Sequence, residues 1–377
     1  MHEPSAAPAG AAWRWAVIGI VVVGTAAAFG YVGGWLAPHR LTPERIVDQL
    51  QQNGGGLHPG YRRNHAKGVC VAGYFDSNGA AQAYSKAQVF AAGRTPVVGR
   101  LAIPGGNPYA PDSSAPIRSM ALRFTQPNGQ QWRTGMNSMP VFLVSTPQAF
   151  YEQAQSSAPD PATGKPDPVK VKAFFAAHPE SGPFLAWVKT AKPSASFATE
   201  SYWGLDAFVF VDANGTRHPV RWRVVPDGAG EPMDGSKSDA DYLSADLTQR
   251  LAKGPQRWKL LVTLANPGDP TNDATKVWPS DRKEIDAGTL VLDQATAQDS
   301  GPCRDINYDP LVLPDGIEAS DDPLLPARSA AYADSYLRRT SEEAHLTGTA
   351  APQPKPESNQ GARLLPCFPC PPACCTG

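Results

Sequence analysis

The sequence predicts an α+β protein in which short antiparallel strands combine with inserted and C-terminal helices, preceded by an N-terminal transmembrane helix. Three observations predict this class. The 377 residues include 39 prolines and 34 glycines, a turn-rich composition that is typical of β-rich chains. Apolar runs of strand length recur between turn residues in the main part of the chain, while helical patterns occupy its middle and its end. One apolar segment near the N-terminus is much longer than a strand and has the length of a transmembrane helix.

Charge and composition narrow the classes of function. The formal net charge is −1, so no general field attracts an acidic partner, and we predict no nucleic-acid binding. Hydrophobic residues make up 41% of the chain, which is enough to bury a substantial core. The chain is long enough for one large domain or two ordinary ones, and its sequence contains no internal repeat.

Residues 13–36, WRWAVIGIVVVGTAAAFGYVGGWL, are predicted to form a transmembrane helix. Arg14 is the only charged residue among them. About 20 apolar residues, at a rise of about 1.5 Å each, span the roughly 30 Å hydrocarbon core of a bilayer. Trp13, Trp15 and Trp35 lie at the two ends, where aromatic side chains favour the membrane interface.

Two other interpretations of this segment stay open. It could be a buried core helix, although such length and purity are unusual for one. It could also be a cleaved signal peptide, with Ala26-Ala27-Ala28 as the cleavage site. Arg40 and Arg45 follow the segment, which weakens an orientation argument based on positive charge. We favour an uncleaved single-pass anchor in a bacterial inner membrane, with the bulk of the chain in the periplasm.

The chain outside the anchor divides into a connector, one main domain and two tails. The connector contains a helix that opens with Thr42 as N-cap and Pro43 at the first helical position. The last part is rich in proline and is predicted to be disordered. The boundaries are 1–12 for the N-terminal tail, 37–57 for the connector, 58–346 for the main domain and 347–377 for the C-terminal tail.

Strands are predicted from apolar runs between turn residues, and two hairpins from Asn-Gly pairs at 128–129 and 214–215. Helices are predicted from capping residues and apolar periodicity. The predicted strands are 69–75, 87–91, 96–103, 119–125, 139–144, 207–211, 220–224, 258–264 and 288–292, and the helices after the connector are 168–177, 182–190 and 323–343.

The six cysteines fit no simple framework. Cys70 and Cys303 stand alone in the sequence, and the others lie in the final stretch PCFPCPPACC. Two of these have the C-x-x-C spacing of some metal sites, but prolines dominate the stretch and no histidine lies nearby. We predict unstructured thiols there, with disulfides within the tail as the alternative in an oxidising compartment. The tail cysteines are Cys367, Cys370, Cys374 and Cys375.

Two small clusters carry residues that are suited to chemistry. His65 lies in GYRRNHAKG, among basic residues just before a predicted strand, where a lone histidine is more often structural than catalytic. Arg328 and Tyr332 are four residues apart, and on a helix they share a face. A guanidinium beside a phenol stabilises the phenolate, an oxygen anion suited to ferric iron. On spacing alone, an exposed helix pair is the simpler interpretation.

Five segments together change this assessment, because they resemble those of the haem catalases and occur in the same order. GYRRNHAKGVCVAGYF and ARSAAYADSYLRR resemble the distal-histidine and haem-ligand signatures. MNSMPVF resembles the distal-asparagine segment, TKVWP followed by GTLVL resembles the segment after the barrel, and PDGIE resembles the segment before the ligand helix. The resemblance runs from about residue 61 to residue 339 and implies a catalase-like antiparallel β-barrel with inserted and C-terminal helices.

The resemblance also implies a haem b cofactor and a role for each matching residue. His65 would be the distal acid–base catalyst, and Asn137 would assist peroxide binding. Tyr332 would be the axial iron ligand with Arg328 as its partner, and Phe150 would stack on the haem. The arginines that match those pairing with haem propionates, as guanidinium groups do with carboxylates, are Arg62, Arg100 and Arg339.

Several departures point to the small exported catalase-related peroxidases, a branch that resembles the catalases. The chain is shorter than a usual catalase and has little beyond the ligand helix. Asn64 replaces an aliphatic residue before the distal histidine. Ala102 replaces the serine that supports that histidine, which should loosen its orientation. Pro116 stands near the place of an aspartate that is expected before Arg118.

The predicted function is therefore a haem-dependent peroxidase that reduces hydrogen peroxide or organic hydroperoxides with an external small-molecule reductant. In that reaction His65 moves a proton from the near peroxide oxygen to the far one. A true catalase, which disproportionates hydrogen peroxide, is the first alternative. A non-catalytic haem- or lipid-binding barrel is the second. The sequence leaves the oligomeric state open.

Overall fold

A computed structural model of the chain describes residues 10–33, 40–192, 194–228 and 239–346. The tail predicted at 347–377, with its four cysteines, lies outside the described residues, as do residues 1–9 of the predicted N-terminal tail. The described helices are α1 (Gly10–Val32), α2 (Pro43–Asn53), α3 (Pro147–Ser156), α4 (Pro168–Ala177), α5 (Gly182–Thr190), α6 (Tyr242–Lys253) and α7 (Leu324–Leu346). The described strands are β1 (Gly68–Ser77), β2 (Gly93–Ala102), β3 (Ser119–Thr125), β4 (Gln131–Asn137), β5 (Tyr202–Trp203), β6 (Phe208–Val211), β7 (Arg217–Pro226), β8 (Gln256–Leu264), β9 (Glu284–Ala297) and β10 (Ile317–Ala319).

Eight of these strands close into a barrel. Hydrogen-bonded neighbours run β7-β5-β4-β3-β2-β1-β9-β8, and pairing of β8 with β7 completes the ring. β6 pairs with β7, and β10 pairs with β6, so these two short strands extend the sheet beyond the ring. The pairings of the ring are antiparallel. The predicted α+β class with an antiparallel barrel is confirmed.

Aromatic side chains fill the barrel interior. In β4, Trp132 is buried in the core while Gly135 and Asn137 lie on the alternate, outward face. The Trp132 indole stacks on Phe124 with ring centroids 4.6 Å apart and meets Trp222 edge-on at 5.1 Å. Because these side chains fill the barrel interior, room for a ligand lies outside the ring.

Two of the predicted strands are wrong, for one shared reason. Residues 87–91 contain a short 3₁₀ turn whose Val89 is buried in the barrel core. Residues 139–144 form a loop whose Val141 is buried in a second apolar cluster. In both cases a short apolar run reflects burial and not strand pairing. The hairpin predicted at 128–129 is present, but its second strand is β4.

Helix α1 contains the predicted membrane span. It covers Gly10–Val32, whereas the prediction was 13–36, and residues 34–36 lie outside the described residues. Within it, Trp13–Val32 is long and apolar enough to cross a membrane, and almost none of it packs against the protein. This exposure argues against a buried core helix, while a signal sequence can also be apolar and helical enough to meet the same criterion.

Cys70 and Cys303 form a disulfide across 233 residues of sequence, with Cα atoms 5.3 Å apart. The sequence suggested no partner for either cysteine, and the structure supplies one. Cys70 lies in β1 opposite Thr296, near the end of β9, and the chain after β9 folds back to bring Cys303 beside it. The bond therefore ties the segment after β9 to the barrel wall.

Removing this disulfide should lower the free energy of unfolding. We expect a loss of about 2–5 kcal/mol for the double substitution Cys70→Ala/Cys303→Ala, since the cross-link no longer restricts the unfolded chain. Urea unfolding of both proteins measures it, and wild type treated with a reductant should show the same loss. Equal unfolding free energies would contradict the prediction.

Candidate active site

One cavity of about 230 Å³ brings together all eight residues that the sequence singles out. It lies between the outward faces of β2, β3 and β4, the turn before β1, and helices α2, α3 and α7. The residues come from five separate parts of the chain and are close together only in the folded protein. They are Arg62, His65, Arg100, Asn137, Phe150, Arg328, Tyr332 and Arg339.

His65 is held in a left-handed backbone conformation at the cavity. Its φ is 54°, a region that residues other than glycine rarely occupy. The side chain of Asn64 stabilises this turn, because its Oδ1 accepts hydrogen bonds from the backbone N–H groups of His65 (2.9 Å) and Gly105 (2.8 Å). Asn64, a departure from the catalase pattern, therefore has a local structural role here.

The imidazole of His65 lines the cavity, and protein encloses its Nδ1 side. Burial, followed by the positive charges of Arg100 and Arg328, lowers its pKa to about 3. Its Nδ1 is buried without a hydrogen-bond partner. Ala102, where the supporting serine was expected, also lines the cavity and has no hydroxyl to offer. A neutral, weakly supported imidazole can accept a proton from a ligand in this cavity.

Asn137 is the last residue of β4, and Ser119 fixes its orientation. The two residues face each other in the β3–β4 pair, and the Ser119 hydroxyl donates to Asn137 Oδ1 at 2.6 Å. With Oδ1 engaged, the amide Nδ2 is left to donate into the cavity. Sequence reasoning missed Ser119, because the predicted partner strand was 139–144, and the β3–β4 register of the structure places Ser119 opposite Asn137.

Tyr332 and Arg328 lie one turn apart on α7, and both line the cavity. The Arg328 guanidinium lies close to the Tyr332 oxygen, and the two groups interact electrostatically. The pair packs against Gly135 of β4, since a Cβ there would lie 3.4 Å from Arg328 Nη2 and 3.6 Å from Tyr332 Oη, an ordinary contact distance. The phenol and the guanidinium thus face the barrel wall, and the pair is not the exposed helix pair that spacing alone suggested.

Three arginines form a buried cationic cluster. Burial and the charge of Arg339 lower the pKa of Arg62 to about 10, and burial and the charge of Arg62 hold the pKa of Arg100 well below its usual range. Arg100 Nε and Arg339 Nη2 are buried without a hydrogen-bond partner. Among the described residues, the cluster's one ion pair joins Arg339 to Glu343 at 3.8 Å. Such a cluster is a binding site for an anion.

Two of these arginines are held by backbone carbonyls. Arg62 Nη2 donates to three carbonyls of segment 303–306 at 3.0–3.1 Å, and this is the segment that the disulfide ties to β1. Arg100 Nη2 donates to the backbone of the His65 turn at 3.1 Å. It passes beside Gly68, where any side chain would begin 2.7 Å from the guanidinium. Glycine at position 68 is therefore needed for Arg100 to reach the cavity.

An apolar wall completes the cavity. Ile46 and Val47 of α2 contribute to it, together with Phe150 of α3. The Phe150 ring stacks on Phe142 with centroids 6.1 Å apart and planes inclined by 22°. A cavity with an apolar wall, aromatic rings and a cationic cluster suits an apolar ligand that carries acidic groups.

Comparison with known proteins agrees with this geometry. A protein-family model described as Catalase matches residues 58–363. A catalase-related peroxidase of Synechococcus elongatus is 39% identical over 331 residues, which are 87% of this chain and 97% of the relative. A catalase-related peroxidase of Mycolicibacterium paratuberculosis is 31% identical over 304 residues, which are 80% of this chain and 95% of the relative.

Solved structures share the fold. A bacterial catalase matches with a TM-score of 0.67 at 24% identity, and catalase A from Saccharomyces cerevisiae matches with 0.68 at 20%. Each match covers 75% of this chain, which spans 58% and 62% of the two solved catalases. The barrel with its inserted and C-terminal helices is thus the catalase fold. Given the family match and two relatives aligned over nearly their whole length, this chain belongs to the catalase family.

Proposed function

We propose that this chain is a haem-dependent peroxidase that reduces hydrogen peroxide or organic hydroperoxides with an external electron donor. Its family and its catalase-related relatives make the chain an oxidoreductase acting on peroxide. The finer proposal depends on one observation, the meeting of a neutral imidazole, a phenol–guanidinium pair and an arginine cluster in a single cavity.

The residues of the cavity fit a haem b. The buried cations of Arg62, Arg100 and Arg339 require an anion, which the two haem carboxylates would supply. Tyr332 would provide the oxygen ligand to ferric iron. Phe150 and the apolar wall would pack on the macrocycle.

The chain's own residues would then move the proton and orient the peroxide. When bound, the haem supplies the redox chemistry that breaks the O–O bond. His65, neutral because its pKa is low, accepts the proton of one peroxide oxygen and returns it to the other, which leaves as water or an alcohol. Asn137 Nδ2 donates to the peroxide and orients it. Arg328 stabilises negative charge on the Tyr332 oxygen.

The missing support of His65 favours peroxidase turnover over disproportionation. Because Ala102 offers no hydroxyl to the His65 ring, the ring lacks the side-chain support that a serine would give and is oriented less firmly. Oxygen evolution at saturating hydrogen peroxide, with and without a phenolic reductant, tests the proposal. A peroxidase oxidises the reductant and evolves little oxygen. Vigorous evolution without reductant would identify a true catalase, and a ferric spectrum unchanged by peroxide would identify a non-catalytic barrel.

The low pKa of His65 predicts an unusual pH profile. An imidazole with the ordinary pKa of about 6.5 would be largely protonated at pH 5, and the rate would fall about thirtyfold from its value at high pH. Because burial lowers the pKa of His65 to about 3, the base stays neutral, and the first reaction with peroxide should change less than about twofold between pH 7.5 and 5. Rapid-mixing kinetics measure this rate at each pH. A decline in the rate centred near pH 6.5 would contradict the prediction.

The same low pKa makes the fold less stable in acid. The unfolded histidine binds a proton below its ordinary pKa of about 6.5, whereas the folded one stays neutral until about pH 3. His65 should therefore remove up to about 1.4 kcal/mol of unfolding free energy per pH unit between these values. His65→Ala should show a correspondingly flatter acid dependence.

We also propose that α1 anchors the chain in a bacterial inner membrane, with the haem domain in the periplasm. The exposed apolar helix and the Cys70–Cys303 disulfide support this, since disulfides persist in oxidising compartments. A cleaved signal peptide would give the same compartment without an anchor. The N-terminus of the mature protein, read by mass spectrometry of the membrane fraction, distinguishes the two.

A chain that begins at Leu41 should be soluble without detergent and as active as the full chain. It keeps the start of α2, where the Thr42 hydroxyl accepts the Arg45 N–H at 3.4 Å, and it keeps the cavity. The full chain should require detergent. An insoluble shortened chain beside a detergent-free full chain would mean that α1 belongs to the core.

A further inference from the structure

The chain after β9 forms one wall of the cavity. Residues 301–308 form turns and loop, and three consecutive residues of this segment line the cavity together with Tyr332. Two of the three belong to a small apolar cluster that contains both cysteines of the disulfide, and Tyr332 packs against this cluster. Segment 301–308 therefore connects the disulfide to the proposed iron ligand. The three lining residues are Ile306, Asn307 and Tyr308.

Segment 301–308 also holds the guanidinium of Arg62. Arg62 Nη2 donates to the backbone carbonyls of residues 303, 304 and 306 at 3.0–3.1 Å. The cation needs such partners, because burial and the charge of Arg339 both disfavour it. The carbonyl dipoles offset part of this cost, and they fix one end of the guanidinium at the cavity that Arg62 lines.

The disulfide is the covalent tie between segment 301–308 and the barrel. At Gly301 the chain turns back so closely that a Cβ there would lie 2.7 Å from Cys70 Sγ. The Cys303 N–H donates to the same sulfur at 3.2 Å, and both cysteines are fully buried. All of segment 301–308 is described, and none of it pairs in the sheet. Its other contacts are noncovalent, so its distance from β1 depends strongly on the disulfide.

We propose that the Cys70–Cys303 disulfide controls haem retention. When the bond is formed, it holds segment 301–308 against the barrel and so positions Arg62 for a haem carboxylate; when it is reduced, the segment loosens and haem binds more weakly. The inference rests on the haem function proposed above. Formation of the bond removes two electrons and two protons from the thiols, and a disulfide-bearing thiol oxidant accepts them as its own disulfide is reduced. An oxidising compartment thus completes the haem site.

The test is the rate of haem dissociation from the haem-loaded full chain, measured by transfer to excess apomyoglobin. Cys70→Ala/Cys303→Ala should lose haem at least about tenfold faster than wild type, as expected when a binding group loses its support. Leu260→Ala is the matched control. Leu260 is buried in the barrel core and does not line the cavity, and its truncation destabilises the fold by a comparable amount.

The control separates positioning from general stability. Leu260→Ala should release haem at the wild-type rate. The same acceleration in Leu260→Ala and in the alanine pair would overturn the proposal, and so would a wild-type rate in the alanine pair.

A double-mutant cycle tests whether the disulfide acts through Arg62. Groups that act together are not additive. Removal of both cysteines should therefore accelerate haem loss in the wild-type background and change it by no more than about twofold in an Arg62→Gln background, which is the scatter of such comparisons. An undiminished acceleration in Arg62→Gln would overturn the positioning of Arg62 by the disulfide.

Reduction of the wild type decides the matter if the alanine pair does not fold. The haem-loaded chain is treated with a dithiol in enough urea to open the bond, and peptide mass spectrometry confirms thiols at Cys70 and Cys303. Faster haem loss than in urea alone supports the proposal, and equal loss overturns it. A wild-type chain that takes up no haem overturns the haem function as well, whereas bound haem that is insensitive to the disulfide overturns this inference alone.

Discussion

Replacing Tyr332 by phenylalanine is expected to abolish haem binding. The substitution keeps the ring and removes the oxygen that lies beside Arg328 and Gly135. The iron then loses its proposed ligand, and the Arg328 guanidinium loses the oxygen that lies beside it. We expect the haem content of the purified protein to fall at least about tenfold, since even groups outside the ligand shell change metal affinity by that factor. Haemochrome absorbance per mole of protein measures it.

Tyr336→Phe is the matched control for this experiment. Tyr336 lies one turn further along α7 and lines the same cavity. Its ring lies 4.8 Å from the Arg339 guanidinium, a contact that phenylalanine keeps. The control loses the same hydroxyl and should retain its haem. Full haem content with an unchanged spectrum in Tyr332→Phe would show that another residue holds the iron.

Most of the long strands could be predicted from the sequence, but β4 and the shortest strands could not. The prediction at 119–125 coincides with β3, whose side chains alternate between the core and the cavity side. Strands β5 and β10 have two and three residues, which is too few for alternation to be visible. Helix α3 was missed although Thr146 and Pro147 repeat the capping signal that found α2.

The candidate site could be predicted where a motif fixes a residue type, and not where two distant residues meet. His65 and Tyr332 lie in recognisable segments, and the cavity contains both, while their roles stay predictions. Asp206 lies in no motif, and it forms an ion pair with Arg328, which is 122 residues away. The disulfide likewise joins residues 233 apart. The periodicity of apolar residues indicates local secondary structure. Which distant residues come into contact depends on the register of the barrel strands, which the sequence pattern does not show.

Replacing His65 by alanine is expected to leave haem in place and to remove most of the reaction with peroxide. Haem should stay because Tyr332 and the arginine cluster, which would hold it, are untouched. Peroxide must lose a proton to bind as an anion, and its far oxygen must gain one to leave. The neutral imidazole, with its pKa of about 3, can serve both steps. The rate should fall by about 10²–10⁴-fold, the usual contribution of a positioned acid–base group.

The decisive measurement is the rate constant of the first absorbance change after the ferric protein is mixed with peroxide. His58→Ala provides the matched control, because His58 lies seven residues earlier, contacts the Gly54 carbonyl at 3.1 Å through Nε2, and does not line the cavity. It should react at the wild-type rate, so a loss confined to His65→Ala assigns the proton transfer to that imidazole. Full haem content together with a wild-type rate in His65→Ala would instead mean that His65 only shapes the turn before β1, and that the base in this cavity is another group.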